Sequence, residues 1–154
     1  MPMDTAMDPR MATHSRKSMG RFFPAVARVL LGGLFFLSGL NGLVNRLPLT
    51  ATAMPAGAVA FISALMNTGY MFPLIMATQL LVGTLLLANR FVPLALALLA
   101  PFIVNSVAFH LFLLPSGLAV ALPVLALELY LAWTYRRAYR PMLAMRTPST
   151  TSVG

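Results

Sequence analysis

The sequence contains no cysteine, and only three of its 154 residues are acidic. Without cysteine the chain cannot use thiol redox chemistry, disulfide bonds or thiolate metal ligands. Charged residues make up only 9% of the chain, whereas apolar residues make up 59%. A soluble globular domain normally carries about 25% charged residues. These scarcities exclude a water-soluble enzyme core and indicate a membrane protein.

Apolar residues are concentrated in four long runs, at about 22–44, 72–88, 91–114 and 118–135. Each run is close to the roughly 17 to 25 residues that a membrane-spanning helix needs. Because only a few residues separate the last three runs, the helices they form must be antiparallel neighbours. The sequence therefore predicts an all-α fold, an integral membrane four-helix bundle.

One further segment, residues 55–67, has the pattern of a helix that is too short to cross a bilayer. Pro55 suits a first helical turn, and Gly69 suits a helix end. Such a helix rises only about 20 Å. We predict a short extra helix at the outer interface between helices 1 and 2, lying along the membrane or folded over the mouth of the bundle. An ordered loop without a function is the alternative.

Eight of the eleven basic residues lie at the two ends of the chain. Four precede the first run, four follow the last one, and Arg90 lies in a loop on the same side of a four-span protein. An orientation with both termini in the cytoplasm leaves only Arg46 in an outer loop, as the positive-inside rule favours. We therefore expect a multi-pass protein of the bacterial cytoplasmic membrane, with N-in and C-in topology.

Nucleic-acid binding is a competing explanation for the net charge of +8. No soluble module is present to offer these charges to a groove, so the expected partner is the lipid bilayer and not nucleic acid. We predict a disordered basic cytoplasmic leader over residues 1–21, a membrane domain over 22–139 and a disordered cytoplasmic tail over 140–154. A cleaved signal peptide ending near the small residues 51–53 is the alternative for the first run.

Glycines accompany the polar residues of the first two spans. At 100° per residue, Gly32, Gly39 and Gly42 share a face of the first helix with Arg28, and Gly83 shares a face of the second with Gln79. Small residues allow transmembrane helices to approach closely. These faces are therefore expected to pack inward.

Two charged residues inside the spans suggest a pair. A charged group at membrane depth is costly unless it has a partner. Counted from the cytoplasmic ends of their helices, Arg28 and Glu128 both lie roughly 10 Å inside. We expect an ion pair that either fixes helix register or handles a proton. The alternative is that Arg28 extends to the cytoplasmic headgroups.

Four uncharged polar residues make up the predicted ligand-binding set. Asn41 and His110 fall near the outer side, while Gln79 and Asn105 fall nearer the middle of the membrane. Pro101 and Pro123 each free a backbone carbonyl, and such carbonyls are tolerated where they face protein, water or ligand. We therefore expect these helices to enclose something polar. A single membrane histidine does not make a metal site, and no catalytic residue is indicated.

Several stretches resemble DoxX-family membrane proteins. Residues 26–42, with the sequence VARVLLGGLFFLSGLNG, resemble the opening helix of that family. Further stretches resemble its second and third helices: TGY at 68–70, QLLVG at 79–83, NRFVPLA at 89–95, APFIVN at 100–105 and FH at 109–110. The resemblance covers about residues 25–139 and keeps Arg, Gln, Asn and His in matching places.

The resemblance implies a compact four-helix membrane bundle of the DoxX type. The family name is shared with a subunit of archaeal quinol-oxidising complexes, and other relatives are linked to oxidative-stress assemblies, chaperoning or cargo transport. One hypothesis is a redox-associated subunit whose cavity binds a quinone-like molecule and whose partner is a membrane or peripheral oxidoreductase subunit. The alternative is a non-enzymatic assembly or interaction protein. A transporter is disfavoured because four spans without an inverted repeat rarely form an alternating-access path.

Overall fold

A computed structural model describes the backbone of residues 9–44 and 54–140, and the side chains of residues 22–44 and 54–140. Within these ranges the chain is helical and contains no strand, which confirms the all-α class. The helices are α1 Pro9–Val44, α2 Ala56–Asn67, α3 Met71–Leu87, α4 Val92–Phe112, α5 Leu118–Thr134 and α6 Arg136–Tyr139, with a short 3-10 helix at Pro115–Gly117.

Three segments are long and apolar enough to cross a membrane: Phe22–Val44, Val92–Phe112 and Pro115–Thr134. The helix α3 has 17 residues and meets α2 at an angle of 90°, so these two form a further span only if they are taken together. Large apolar side chains such as Leu37, Val104 and Phe112 point away from the rest of the protein. Such extensive exposed apolar surface is typical of helices that face lipid.

The helix α1 is longer than its apolar run. It begins at Pro9, inside the segment 1–21 for which the sequence analysis predicts disorder. Seven of the thirteen residues of 9–21 are Arg, Met, Ala or Lys, which favour helices, and proline is well tolerated in a first turn. The remaining predictions of disorder, for residues 1–8 and 141–154, lie outside the described residues, as does the possible cleavage site at 51–53.

The helices α1 and α3 meet at their glycines. A Cβ atom on Gly39 would lie 2.6 Å from the carbonyl oxygen of Met76 in α3. A Cβ atom on Gly83 would overlap the backbone of Phe36 in α1. Both glycines are buried, which confirms the close approach predicted from the small residues.

The other long helices complete the packing. The helix α4 contacts α3 and α5, and α1 also contacts α5. Their apolar side chains form one buried cluster: Ala27, Leu31, Phe35, Val82, Leu86, Val92, Ala95, Leu96, Leu99, Ile103 and Leu131. This core lies toward one end of the helices, where α1 carries Arg28 and the α3–α4 turn carries Arg90.

The predicted extra helix is present as α2. It follows Pro55 and ends before a turn in which Gly69 has a φ of +74°, a conformation that favours glycine. The hydroxyl of Thr68 accepts a hydrogen bond of 3.1 Å from the backbone N–H of Met71 at the start of α3. The ring of Phe61 in α2 packs 5.5 Å from that of Phe109 in α4, so α2 folds back over the far end of α4.

Candidate functional site

A cavity of about 150 Å³ lies among α1, α3, α4 and α5. We call it the central cavity. Most of its wall is apolar, but each of the helices α1, α3 and α4 contributes at least one polar side chain. Its lining residues are Leu34, Phe35, Ser38, Gln79, Phe102, Ile103, Ser106, His110, Val120, Ala121 and Val124. A largely apolar cavity with a few convergent polar groups is the usual form of a small-molecule site.

Gln79 is the most deeply buried polar residue of this cavity. Its side chain is only 3% exposed, because the close contact of α3 with α1 turns this face of α3 inward. The Oε1 atom is buried and has no hydrogen-bond partner within the described part of the chain. A buried acceptor left without a partner costs about 1–3 kcal/mol, and most such groups in proteins are satisfied by protein, water or ligand. Gln79 therefore offers an acceptor to a molecule in the cavity.

His110 presents its imidazole to the same cavity from the last turn of α4. Its Nδ1 atom lies 3.2 Å from the carbonyl oxygen of Leu114. Since a carbonyl oxygen only accepts, we assign the ring proton to Nδ1, which leaves Nε2 of the neutral ring as an acceptor. The ring also packs edge-on against Phe109 and lies directly against Gly117. These contacts hold the imidazole in one orientation.

A second cavity of about 190 Å³, which we call the side cavity, lies between α2, α3 and α4. Gln79, Phe102 and Ser106 line both cavities, so these residues form the wall that the two share. The remaining lining is apolar or aromatic except for one amide: Phe61, Ile62, Leu65, Phe72, Ile75, Met76, Asn105 and Phe109. The side cavity therefore offers an apolar space beneath α2, next to the central cavity.

The structure brings together only part of the predicted ligand-binding set. Gln79 and His110 line the central cavity, whereas Asn105 is exposed and lines the side cavity. Asn41 is half-buried on α1 and lines neither cavity. Ser38 and Ser106 line the central cavity but were not predicted, because an isolated serine in an apolar helix gives little signal in the sequence.

The predicted ion pair between Arg28 and Glu128 is not formed. The Nη1 atom of Arg28 instead donates a hydrogen bond to Oδ1 of Asn89 in the α3–α4 turn. Asn89 has a φ of +55°, and the N–H groups of Asn89 and Arg90 bond back to the carbonyls of Leu86 and Leu85. This is a Schellman helix end, with asparagine in the left-handed position. The turn thus places an amide oxygen within reach of Arg28.

Glu128 lies farther along α5, in a third cavity of about 260 Å³ that we call the Glu128 pocket. Its other lining residues come from α4, α5 and α6: Leu96, Ala97, Ala100, Ile103, Val104, Leu125, Leu129, Ala132 and Tyr139. Glu128 is 5% exposed, and no salt bridge joins its carboxyl group to Arg28. Ala97, whose carbonyl is freed by Pro101, faces this pocket and not the central cavity.

Tyr139 closes one end of the Glu128 pocket. Its hydroxyl donates a hydrogen bond of 3.0 Å to the carbonyl oxygen of Pro93 and so ties α6 to the start of α4. Burial, and then the nearby negative charge of Glu128, raise the pKa of Tyr139 above its usual value. In the described ranges, no three His, Asp or Glu side chains are grouped so that they could hold a metal ion.

Comparison with known proteins adds no assignment. Neither family models, nor curated proteins, nor solved structures give a match to this chain. The functional argument therefore rests on the geometry of the cavities described above.

Proposed function

We propose that the chain is a DoxX-like membrane protein of four spans whose central and side cavities bind a quinone-like, lipid-soluble molecule. The observation that carries the proposal is the buried Oε1 atom of Gln79, which lacks a partner and lines both cavities. The resemblance to DoxX proteins noted in the sequence is consistent with this proposal and supplies its family.

The polar groups suit the head of such a molecule. A quinone carbonyl needs a donor, which the amide of Gln79 or the hydroxyls of Ser38 and Ser106 can supply. A quinol hydroxyl needs an acceptor, which Oε1 of Gln79 and Nε2 of His110 can supply. The same side chains therefore fit either redox form. A bound quinone–quinol couple would supply two-electron chemistry, and this chain's residues would hold and orient its head.

The apolar groups suit the tail. The rings of Phe35 and Phe102 pack edge-to-face with centroids 5.7 Å apart and line the central cavity beside Gln79. The adjacent side cavity lies between α2, α3 and α4 and is lined mainly by aromatic and aliphatic side chains. A flat head in the central cavity and an isoprenoid or alkyl tail under α2 would bury apolar surface throughout.

The test is saturable binding of decylubiquinone to the purified full-length protein in nanodiscs. We expect Gln79→Leu and His110→Leu each to weaken binding about tenfold, the effect of one hydrogen bond worth roughly 1.4 kcal/mol. The matched control is Thr84→Val on the same helix, because the Thr84 hydroxyl bonds to the carbonyl of Leu80 and lines neither cavity. We expect this control to bind normally.

Absence of saturable binding, or equal affinity in Gln79→Leu, His110→Leu and the control, would contradict the quinone proposal. The non-enzymatic assembly hypothesis would then be preferred. If binding is found, we further propose a membrane or peripheral oxidoreductase subunit as the partner. Co-purification from native membranes would test that step.

We also propose N-in and C-in topology in a bacterial cytoplasmic membrane. The contacts of Arg28 with Asn89 and of Tyr139 with Pro93 gather the start of the α1 span, the α3–α4 turn and α6 at one end. This end carries five of the arginines: Arg28, Arg90, Arg136, Arg137 and Arg140. Arg136 also lies over the exposed ring of Trp133, at 4.6 Å from its centroid, an arrangement typical of the membrane–water interface.

The lack of native cysteine makes topology directly testable. A single cysteine introduced as Ser116→Cys lies at the α4–α5 turn, and one introduced as Ala138→Cys lies in α6 at the opposite end. We expect a membrane-impermeant maleimide to label the first in intact cells and the second only after the membrane is opened. Labelling of both, or the reverse order, would contradict the orientation.

A further inference from the structure

The Glu128 pocket holds a buried acid without a partner. Glu128 is 5% exposed, and its Oε2 atom is buried without a hydrogen-bond partner in the described ranges. Apart from the Tyr139 hydroxyl, which already donates to Pro93, the other side chains around the pocket are aliphatic. The proposed quinone site does not use this carboxyl group, since Glu128 does not line the central or side cavity.

No described cation neutralises Glu128. Among residues with described side chains, the charged or titratable groups on the helices packed against α5 are Arg28 on α1, His110 on α4, and Arg136, Arg137 and Tyr139 on α6. Of these, only Tyr139 lines the pocket. Arg28 is bonded to Asn89, His110 faces Leu114, and Arg136 is bonded to the carbonyl of Trp133. None of the described positive charges lines the pocket.

The pocket opens between α4 and α5 toward the surface that would face lipid. Val104 and Leu129 line it and are 65% and 60% exposed, although both lie well inside their membrane-spanning segments. A molecule dissolved in the bilayer could therefore reach Glu128 laterally. The volume of the Glu128 pocket, about 260 Å³, is far larger than a single water molecule needs.

A carboxylate in such surroundings is costly unless it is protonated or paired with a cation. The pocket does not offer enough ligands for a bare metal ion, because Ca²⁺ and Mg²⁺ require about six or more oxygen ligands and the pocket offers one carboxyl group. An organic cation whose charge is surrounded by methyl groups fits this pocket better. It loses little hydration on entering, its methyl groups pack against the aliphatic walls, and its charge pairs with the carboxylate. We propose that the Glu128 pocket binds the head of a lipophilic organic cation, such as an alkylated ammonium, that enters from the bilayer.

Binding exchanges a proton for the cation. The protonated carboxyl group releases H⁺ to the aqueous phase, and the resulting carboxylate pairs with the cationic head, so charge is conserved within the pocket. Cation affinity should accordingly rise with pH, by up to about tenfold per pH unit while the carboxyl group is mostly protonated.

The test uses octyltrimethylammonium titrated calorimetrically into the full-length protein in zwitterionic nanodiscs. Its uncharged carbon isostere, 2,2-dimethyldecane, is the matched ligand control. We expect saturable binding of the cation alone, with a heat that differs between buffers of unequal ionisation enthalpy by the amount expected for one proton released. Equal binding of the isostere, or no saturable binding of the cation, would overturn the proposal.

Two variants separate the acid from the pocket. Glu128→Gln keeps the shape and removes the charge, so we expect at least a tenfold loss of affinity and no proton release. Ala100→Phe keeps the acid and fills the pocket from α4, and it should also abolish binding. Unchanged cation affinity in either variant would overturn the proposal. Decylubiquinone binding, measured in parallel, should be retained in both variants, so this result is independent of the proposed quinone site.

Discussion

Arg28 donates its hydrogen bond to Asn89, a residue of the turn between α3 and α4, and not to the acid that lies at a similar depth on α5. The contact joins the start of the α1 span to the end of α3, two helices whose glycine faces already touch. Arg28 therefore reinforces the packing of α1 against α3. Glu128 is left facing a separate pocket lined by α4, α5 and α6.

This arrangement predicts which double mutants are coupled. We expect Arg28→Gln and Asn89→Gly to show an interaction energy of about 1 kcal/mol in the free energy of unfolding, in the range measured for polar contacts between membrane helices. Glycine is the appropriate replacement for Asn89 because it keeps the left-handed backbone of the turn. The measurement is reversible unfolding in mixed detergent micelles.

The control for this double-mutant cycle is a second cycle that combines Arg28→Gln with Glu128→Gln. Since no contact joins these two side chains, their effects should add to within about 0.5 kcal/mol. A strong coupling between Arg28 and Glu128, or none between Arg28 and Asn89, would contradict the observed geometry.

Local signals in the sequence predicted local structure well. Pro55 and Gly69 delimit α2, and the glycines of α1 and α3 mark the faces where these helices touch. In each case the information lies in a residue's own backbone preference or in its lack of a side chain. Such properties do not depend on which helix becomes the neighbour.

The partners of polar side chains could not be predicted in the same way. Counting residues gives the depth of Arg28 and Glu128 along their helices, but not the direction in which each side chain extends. The acceptor for Arg28 is Asn89, which lies in a turn. The sequence analysis considered only polar residues inside the apolar runs as partners, so it did not consider Asn89. The same ambiguity of direction applies to Asn105, which is exposed at the side cavity, while Ser38 and Ser106 reach the central cavity.

The contact between Gly117 and His110 predicts an effect on ligand binding. A Cβ atom at position 117 would overlap the imidazole ring, so Gly117→Ala should displace His110 from its place at the carbonyl of Leu114. We expect decylubiquinone affinity to fall about tenfold, as when one hydrogen bond is lost. The adjacent Ser116→Ala is the control, because Ser116 is exposed and does not line the cavity. Equal affinities of the two variants would contradict a role for His110 in the site.

A pair of glycine variants tests the packing of α1 against α3. Gly83→Ala should destabilise the protein by about 1–3 kcal/mol, since its methyl group meets the rigid backbone of α1 at Phe36. Gly33→Ala is the matched control, because a Cβ atom there would have no neighbour within 4 Å. Because alanine has a better helix propensity than glycine, Gly33→Ala should leave the free energy of unfolding unchanged or raise it by up to about 1 kcal/mol. Free energies of unfolding in detergent would show the contrast, and equal effects of the two variants would refute the close contact.

Tyr139 predicts a loss of stability in alkali. Its pKa is raised in the folded protein by burial and by the charge of Glu128, so the folded state holds the phenolic proton more tightly than the unfolded chain does. This contribution is fully present below the ordinary tyrosine pKa of about 10 and is lost as the pH rises through the higher folded value. Phenolate absorbance during an alkaline titration should show one late transition that disappears in Tyr139→Phe and moves to lower pH in Glu128→Gln. If Glu128→Gln leaves that transition in place, the carboxyl group of Glu128 does not face Tyr139, and the proposed geometry of the pocket is wrong.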